Sequence, residues 1–326
     1  MKLDRRSFLK RSSLSATAMV NLQTGARPGA EAPLLTPSVD GHIHIWERPW
    51  HNFIVGTGRA GRFDQRDLIL ALMDRHGVQK ACVLAACDSA NLHNNEFVAE
   101  LCRENPGRFV MFAEIPLSGE KRDQLLNRTL HVWPAVGFRH LLAATETPDD
   151  WLGGKHDAFW DKVNSAGLFV SLNLNPAQAG RLEPLLRTYP RVRWLLDHMA
   201  RPGHGMTEKE YAPVLKLAAF PNLYVKLSGF YAFTARSSEY PYLDLSRFVA
   251  TLVKAYGARR LIWGSDAPPV LDFSSYEQSF TCLLKPETGL SPDDLTWVFG
   301  KTAEKVLFSN GVSPQDRTEI EGAHER

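Results

Sequence analysis

The stretch Val39-Asp40-Gly41-His42-Ile43-His44-Ile45-Trp46 decides how this chain is read. Period-two alternation makes it a strand with His42 and His44 on one face and Val39, Gly41, Ile43 and Ile45 on the other. Two imidazoles aimed the same way can ligate a divalent metal, or donate to a developing oxyanion if protonated. An H-x-H pair by itself also suits an ordinary core or surface. Here the rest of the chain supplies Asp197-His198 and Ser265-Asp266, each closing an apolar run.

Beyond this strand, apolar runs and helical patterns alternate every 25–35 residues. Strands are expected at 80–87, 108–115, 135–140, 168–174, 192–198, 223–228 and 260–266, with helices between them and at the end. Eight such units predict a single-domain (β/α)₈ TIM barrel. A doubly wound sheet would require a Gly-rich phosphate loop directly after the first strand, where the chain reads Glu47-Arg48-Pro49-Trp50; the G-x-G-x-x-G spacing at 56–61 falls ten residues beyond Trp46. Residues 47–64, rich in Gly, Arg and aromatics, read as a long loop over the end of the first strand.

The chain has 326 residues, 44% hydrophobic and 23% charged, enough for one large barrel. Its start, with Arg5-Arg6 before a short, weakly apolar run, reads as a twin-arginine export signal and linker over 1–32. The barrel is expected over 33–326, and the protein in the periplasm. Removing 1–32 takes away six basic and two acidic residues, leaving 32 against 34. That balance offers no field for nucleic acid or anionic membrane, so the expected partner is a small molecule. Cys82, Cys87, Cys102 and Cys282 form no C-x-x-C pair and are expected to be structural, although an exported protein could pair two of them.

In a TIM barrel, working groups sit at the C-terminal ends of the strands. Polar residues gather there: His42 and His44; Arg139-His140; Asp197-His198 with Arg201 beyond; Lys226 and Ser228; Ser265-Asp266. Asp197 and His198 are neighbours and should point oppositely. His198 is assigned to the site, with Asp197 behind it as an orienting group or buried cap. Lys226 is either a structural cation paired with an interior acid such as Glu114, or a substrate contact.

These segments resemble the amidohydrolase superfamily, specifically the branch of 2-pyrone-4,6-dicarboxylate hydrolase and the sugar-acid lactonases. The resemblance rests on VDGHIHIWE (39–47), VGFRHLL (136–142), LLDHMARPG (195–203), YVKLSG (224–229) and LIWGSDAP (261–268). It implies a hydrolase that opens a lactone by water attack, with Asp266 as general base. His42, His44, His198 and Asp266 then hold one divalent metal ion, zinc before others, or the histidines polarise the carbonyl without metal, as in some members of this branch. It further implies that Arg139 and Arg201 grip a carboxylate, that Trp46 and Trp50 pack on a ring face, and that His140 and Ser228 line the substrate. Two departures stand out: Ala267 replaces the aromatic that usually follows the last Asp, and a Lys at the end of strand four is missing, which argues against a two-metal site. The alternatives are a metal-dependent decarboxylase of the same superfamily and a non-catalytic periplasmic binding barrel.

Overall fold

Strands β1 (Val39–Ile43), β2 (Lys80–Leu84), β3 (Phe109–Glu114), β4 (Ala135–Leu141), β5 (Phe169–Asn173), β6 (Arg193–Leu196), β7 (Leu223–Leu227) and β8 (Leu261–Trp263) pair in parallel in sequence order. In the computed structural model, residues 35–48 and 65–309 are described. The expected export signal, most of the 47–64 loop and Trp50 lie outside them. Helices such as Asn94–Glu104, Asp157–Ser165 and Leu243–Tyr256 separate the strands. The strands are joined in a ring by parallel pairing, a nearly closed (β/α)₈ barrel, as the alternation of apolar runs predicts.

Closure occurs at the β8–β1 seam just beyond β8. The Asp266 N–H donates to the His42 carbonyl, and the His44 N–H donates to the Ala267 carbonyl, both at 2.8 Å. Inside the ring, Val39, Cys82, Leu84, Phe112, Phe169, Leu195 and Ile262 form an apolar plug below the polar residues. Outside it, a larger core packs helices onto the strands. The barrel is therefore a filled core with chemistry only at its upper end.

Val39 was expected opposite the histidines, yet it belongs to the inner cluster, while Ile43 and Ile45 lie in the outer core as expected. A register shift between Asp40 and Ile43 changes the phase. Asp40 causes it by local hydrogen bonding: its Oδ1 accepts the N–H groups of His42 (3.0 Å) and Ser265 (2.9 Å), and Oδ2 accepts the Tyr276 hydroxyl (2.8 Å). All four cysteines are free, with only Cys87 exposed. No helix among the described residues is long and apolar enough to cross a membrane.

Asp40 is fully buried, and burial raises its carboxyl from 3.8 to about 6 against the pull of Ser265, His42 and Tyr276. The folded state thus holds this proton more tightly than the unfolded chain, so the associated stability is complete below pH 3.8 and is lost as pH rises through 6. Asp40→Asn should flatten that part of the stability–pH curve. Asp40→Ala, which leaves two N–H groups and a hydroxyl without an acceptor, should cost about 3–5 kcal/mol in urea denaturation.

Candidate active site

His42, His44, His198 and Asp266 meet at the C-terminal mouth, all buried. His42 Nε2 lies 3.2 Å from His44 Nε2 and 3.5 Å from Asp266 Oδ1; His44 Nε2 is 3.6 Å from the same oxygen. His198 Nε2 stands 4.0 Å from Asp266 Oδ2. Gly264 makes room for this group, since a Cβ there would lie 2.5 Å from that of His42. Asp197 and His198 both enter the site, contrary to strand alternation. β6 ends at Leu196, and His198, Met199, Ala200 and Arg201 all adopt left-handed backbone (φ 52–57°), which swings His198 inward. Its Nδ1 meets Ser228 Oγ at 2.9 Å, and Gly229, with φ +69°, leaves space that a Cβ would take 2.6 Å from that nitrogen. Asp266 is likewise left-handed (φ 59°), strain of a kind that gathers at functional sites.

Beneath the histidines lies a buried charge cluster. Asp197 Oδ1 accepts from Ser171 Oγ (2.7 Å) and faces Lys226 Nζ (3.1 Å), while Oδ2 accepts from Arg139 Nε (3.0 Å). Lys226 also donates to Ser171 and lies over the Phe112 ring. Burial alone would raise the Asp197 carboxyl; Lys226, His42 and Arg139 reverse this and hold it well below the usual range. Burial lowers His44 to about 3, puts His42 well below 6.5 and lowers His198, so all three rings are neutral near pH 7. Asp266 moves the other way: burial raises it, and His198, the Tyr231 hydrogen bond and Arg139 only partly oppose that.

A family model described as Amidohydrolase matches residues 39–308, most of the chain and every strand of the barrel. The chain belongs to the Amidohydrolase family. Over 126 residues it is 33% identical to an L-fucono-1,5-lactonase from Burkholderia ambifaria, covering 37% of this chain and 42% of that protein. Over 115 residues it is 30% identical to a D-galactarolactone isomerase from Agrobacterium fabrum, covering 34% and 38%. The matched part thus spans about two fifths of the length of these relatives. A solved amidohydrolase from Burkholderia multivorans with bound zinc superposes with a TM-score of 0.65 at 20% identity, over 82% of this chain and 98% of that one, a likeness of fold.

Several residues of this amidohydrolase lie elsewhere than the sequence suggests. His140 faces away from the mouth because Arg139, its strand neighbour, points inward. It accepts the Leu117 N–H, meets Glu146 Oε2 at 3.0 Å and packs edge-on against Trp151. Trp46 is only 2% exposed; it stacks on His44 at 5.0 Å and donates to the Ala86 carbonyl, so it supports a histidine and does not offer an open ring face. Ser228 is fully buried and engaged with His198. Lys226 pairs with Asp197, whereas Glu114 accepts the Cys87 N–H. Arg139 commits Nε to Asp197, and among the described residues its terminal nitrogens have no hydrogen-bond partner. Arg201 sits at the rim over the Phe233 ring, which neighbours His198. Ala267 is buried in the outer core and bridged to Ile43, so its small side chain does not shape the mouth.

Sequence reasoning missed Tyr231, whose hydroxyl donates to Asp266 Oδ2 at 2.8 Å and whose ring stacks on Phe273. It also missed Asn173 at the end of β5, whose buried Oδ1 has no partner among the described residues. Neither carries a local pattern; only their place after β7 and at the end of β5 could have drawn notice. For a metal, His42, His198 and Asp266 each offer a ligand atom within 4.8 Å of the others. His44 stands close to two of the three. Neutral imidazoles with a carboxylate are a donor set that fits a divalent ion.

Removing the charge of Lys226 would leave Asp197 buried with less compensation. Lys226→Met should therefore lower unfolding stability by about 3–5 kcal/mol, measured by chemical denaturation. A loss below 1 kcal/mol would refute this account of the cluster.

Proposed function

We propose that this amidohydrolase opens a lactone, a sugar-acid lactone or a pyrone carboxylate, by attack of water, with Asp266 as general base. The observation that carries this reading is Asp266 itself: a buried carboxylate with a raised pKa, held at Oδ2 by Tyr231 and facing three neutral imidazoles from Oδ1 and Oδ2. The partial match to a fucono-lactonase supports it.

Lactone hydrolysis requires a deprotonated water, a polarised carbonyl and groups that fix the ring. Asp266 Oδ1, on the side away from Tyr231, takes the proton of the attacking water. Its raised pKa brings it nearer that task than an exposed carboxylate. Arg139 turns its free edge to a substrate oxygen, with Asn173 at the end of the neighbouring strand and Arg201 at the rim. Held by His42, His44, His198 and Asp266, a single divalent ion, zinc before others, would supply Lewis-acid polarisation of the carbonyl. The zinc in the fold relative supports this choice.

A panel of aldonolactones and pyrone carboxylates, followed by proton release before and after chelation and zinc readdition, tests the proposal. Turnover of at least one compound is expected, with loss on chelation and recovery with zinc. Asp266→Asn should reduce kcat by about 10²–10⁴-fold without a comparable loss of stability. Decarboxylation of a benzoate acid with no lactone opened would overturn it in favour of a decarboxylase. Ligand affinity without turnover would make the barrel a receptor. Full lactonase activity after chelation would leave carbonyl polarisation to the histidines alone.

We further propose export through the twin-arginine route, supported by Arg5-Arg6 and the short apolar run after them. Replacing both arginines by Lys should retain the protein in the cytoplasm; equal fractionation of wild type and variant would refute the signal.

A further inference from the structure

The contact between His42 and His44 poses an electrostatic problem that Asp197 creates. His44 Nδ1 lies 2.7 Å from the Leu84 carbonyl, which only accepts, so neutral His44 carries its proton on Nδ1 and turns a lone pair outward from Nε2. His42 Nε2 is 3.2 Å from that lone pair. Without a metal, the simplest arrangement protonates His42 on Nε2 and donates to His44. It would then aim the bare lone pair of His42 Nδ1 at Asp197 Oδ1, 3.5 Å away, with both side chains fully buried. His42 Nδ1 has no nearer partner among the described residues, and a small ring rotation would shorten this approach to a hydrogen bond.

We propose that Asp197 is a positioning residue: by keeping the His42 proton on Nδ1 it turns the Nε2 lone pair toward that of His44 and makes the pair a receptor for a divalent cation. Two facing lone pairs repel each other unless a cation lies between them. Two imidazoles bound to one tetrahedral ion at about 2.0–2.1 Å stand about 3.3 Å apart, close to the separation seen here. Lys226, Arg139 and Ser171 hold Asp197 on three sides, which fixes the direction of its oxygens. Two cations already balance its charge, so little of it is left to stabilise an additional proton on His42. A carboxylate behind a metal-facing histidine fixes the tautomer and strengthens the ligand. This inference rests on the metal-assisted reading above, yet it concerns His42 before any ion arrives.

The test uses the full chain, stripped of metal, with ¹⁵N-labelled histidine; the His42 signals are assigned by their loss in His42→Ala. Wild type should show the proton on Nδ1. The double variant Asp197→Leu, Lys226→Met removes the carboxylate together with the fully buried cation of its pair and leaves Arg139, which holds Asp197 through Nε alone, so it should fold. In it His42 should shift to the Nε2–H form, and zinc affinity, measured by competition with a chromophoric chelator, should fall about 10–100-fold. Ser171→Ala, which leaves the carboxylate in place, should keep the tautomer and most of the affinity, and it serves as the comparison if the double variant does not fold. A His42 already protonated on Nε2 in wild type overturns the proposal, as does wild-type zinc affinity in the double variant. A wild type with the Nδ1–H form that binds no zinc refutes the metal reading of the site while leaving the role of Asp197 intact.

Discussion

Two backbone hydrogen bonds at the β8–β1 seam, from Asp266 N–H to the His42 carbonyl and from His44 N–H to the Ala267 carbonyl, do more than close a ring. They bring the first and last strands into register where three of the four central side chains emerge. His42 and His44 lie more than 220 residues from Asp266 in the chain and meet it because backbone groups pair there. Asp40 stabilises the same seam from the outer side by accepting from Ser265 of β8's extension and His42 of β1. Loss of that carboxylate would disturb stability and site geometry together.

Below the mouth, the interior changes from apolar to charged within one layer of side chains. Asp197, Lys226 and Arg139 are costly to bury, and an apolar layer of similar volume would serve stability as well or better. Their retention in a filled barrel is explained by what Asp197 faces on its upper side, the Nδ1 of His42. Each histidine has a different buried polar partner behind it: a backbone carbonyl for His44, a hydroxyl for His198, a carboxylate for His42. Those three supports direct the Nε2 atoms of the rings toward Asp266.

Aromatic residues take a supporting part. Trp46 stacks behind His44, and Tyr231, itself stacked on Phe273, fixes one oxygen of Asp266. Because Tyr231 occupies Oδ2, the two oxygens of Asp266 are inequivalent, which leaves Oδ1 toward the paired imidazoles. A raised carboxyl pKa and lowered imidazole pKa values share one cause, the exclusion of water from the base of the mouth.

The sequence by itself determined the barrel, because eight apolar runs separated by helical periods allow few other closed parallel arrangements. It also determined which strand ends carry chemistry, since polar residues ending buried strands appear directly in the chain. Tertiary structure decided which of those residues face inward and what each one touches. Asp40 shifts the phase of β1, four left-handed residues turn His198 back into the mouth, and His140 leaves it because Arg139 enters. Trp46 and Ser228 became supports of histidines, and Tyr231 and Asn173 arrived at the mouth without any local signal. The physical reason is that strand periodicity fixes a side chain's face only while the backbone keeps its phase. Bulges, positive-φ turns and pairing across distant strands depend on atoms that sequence neighbours do not supply.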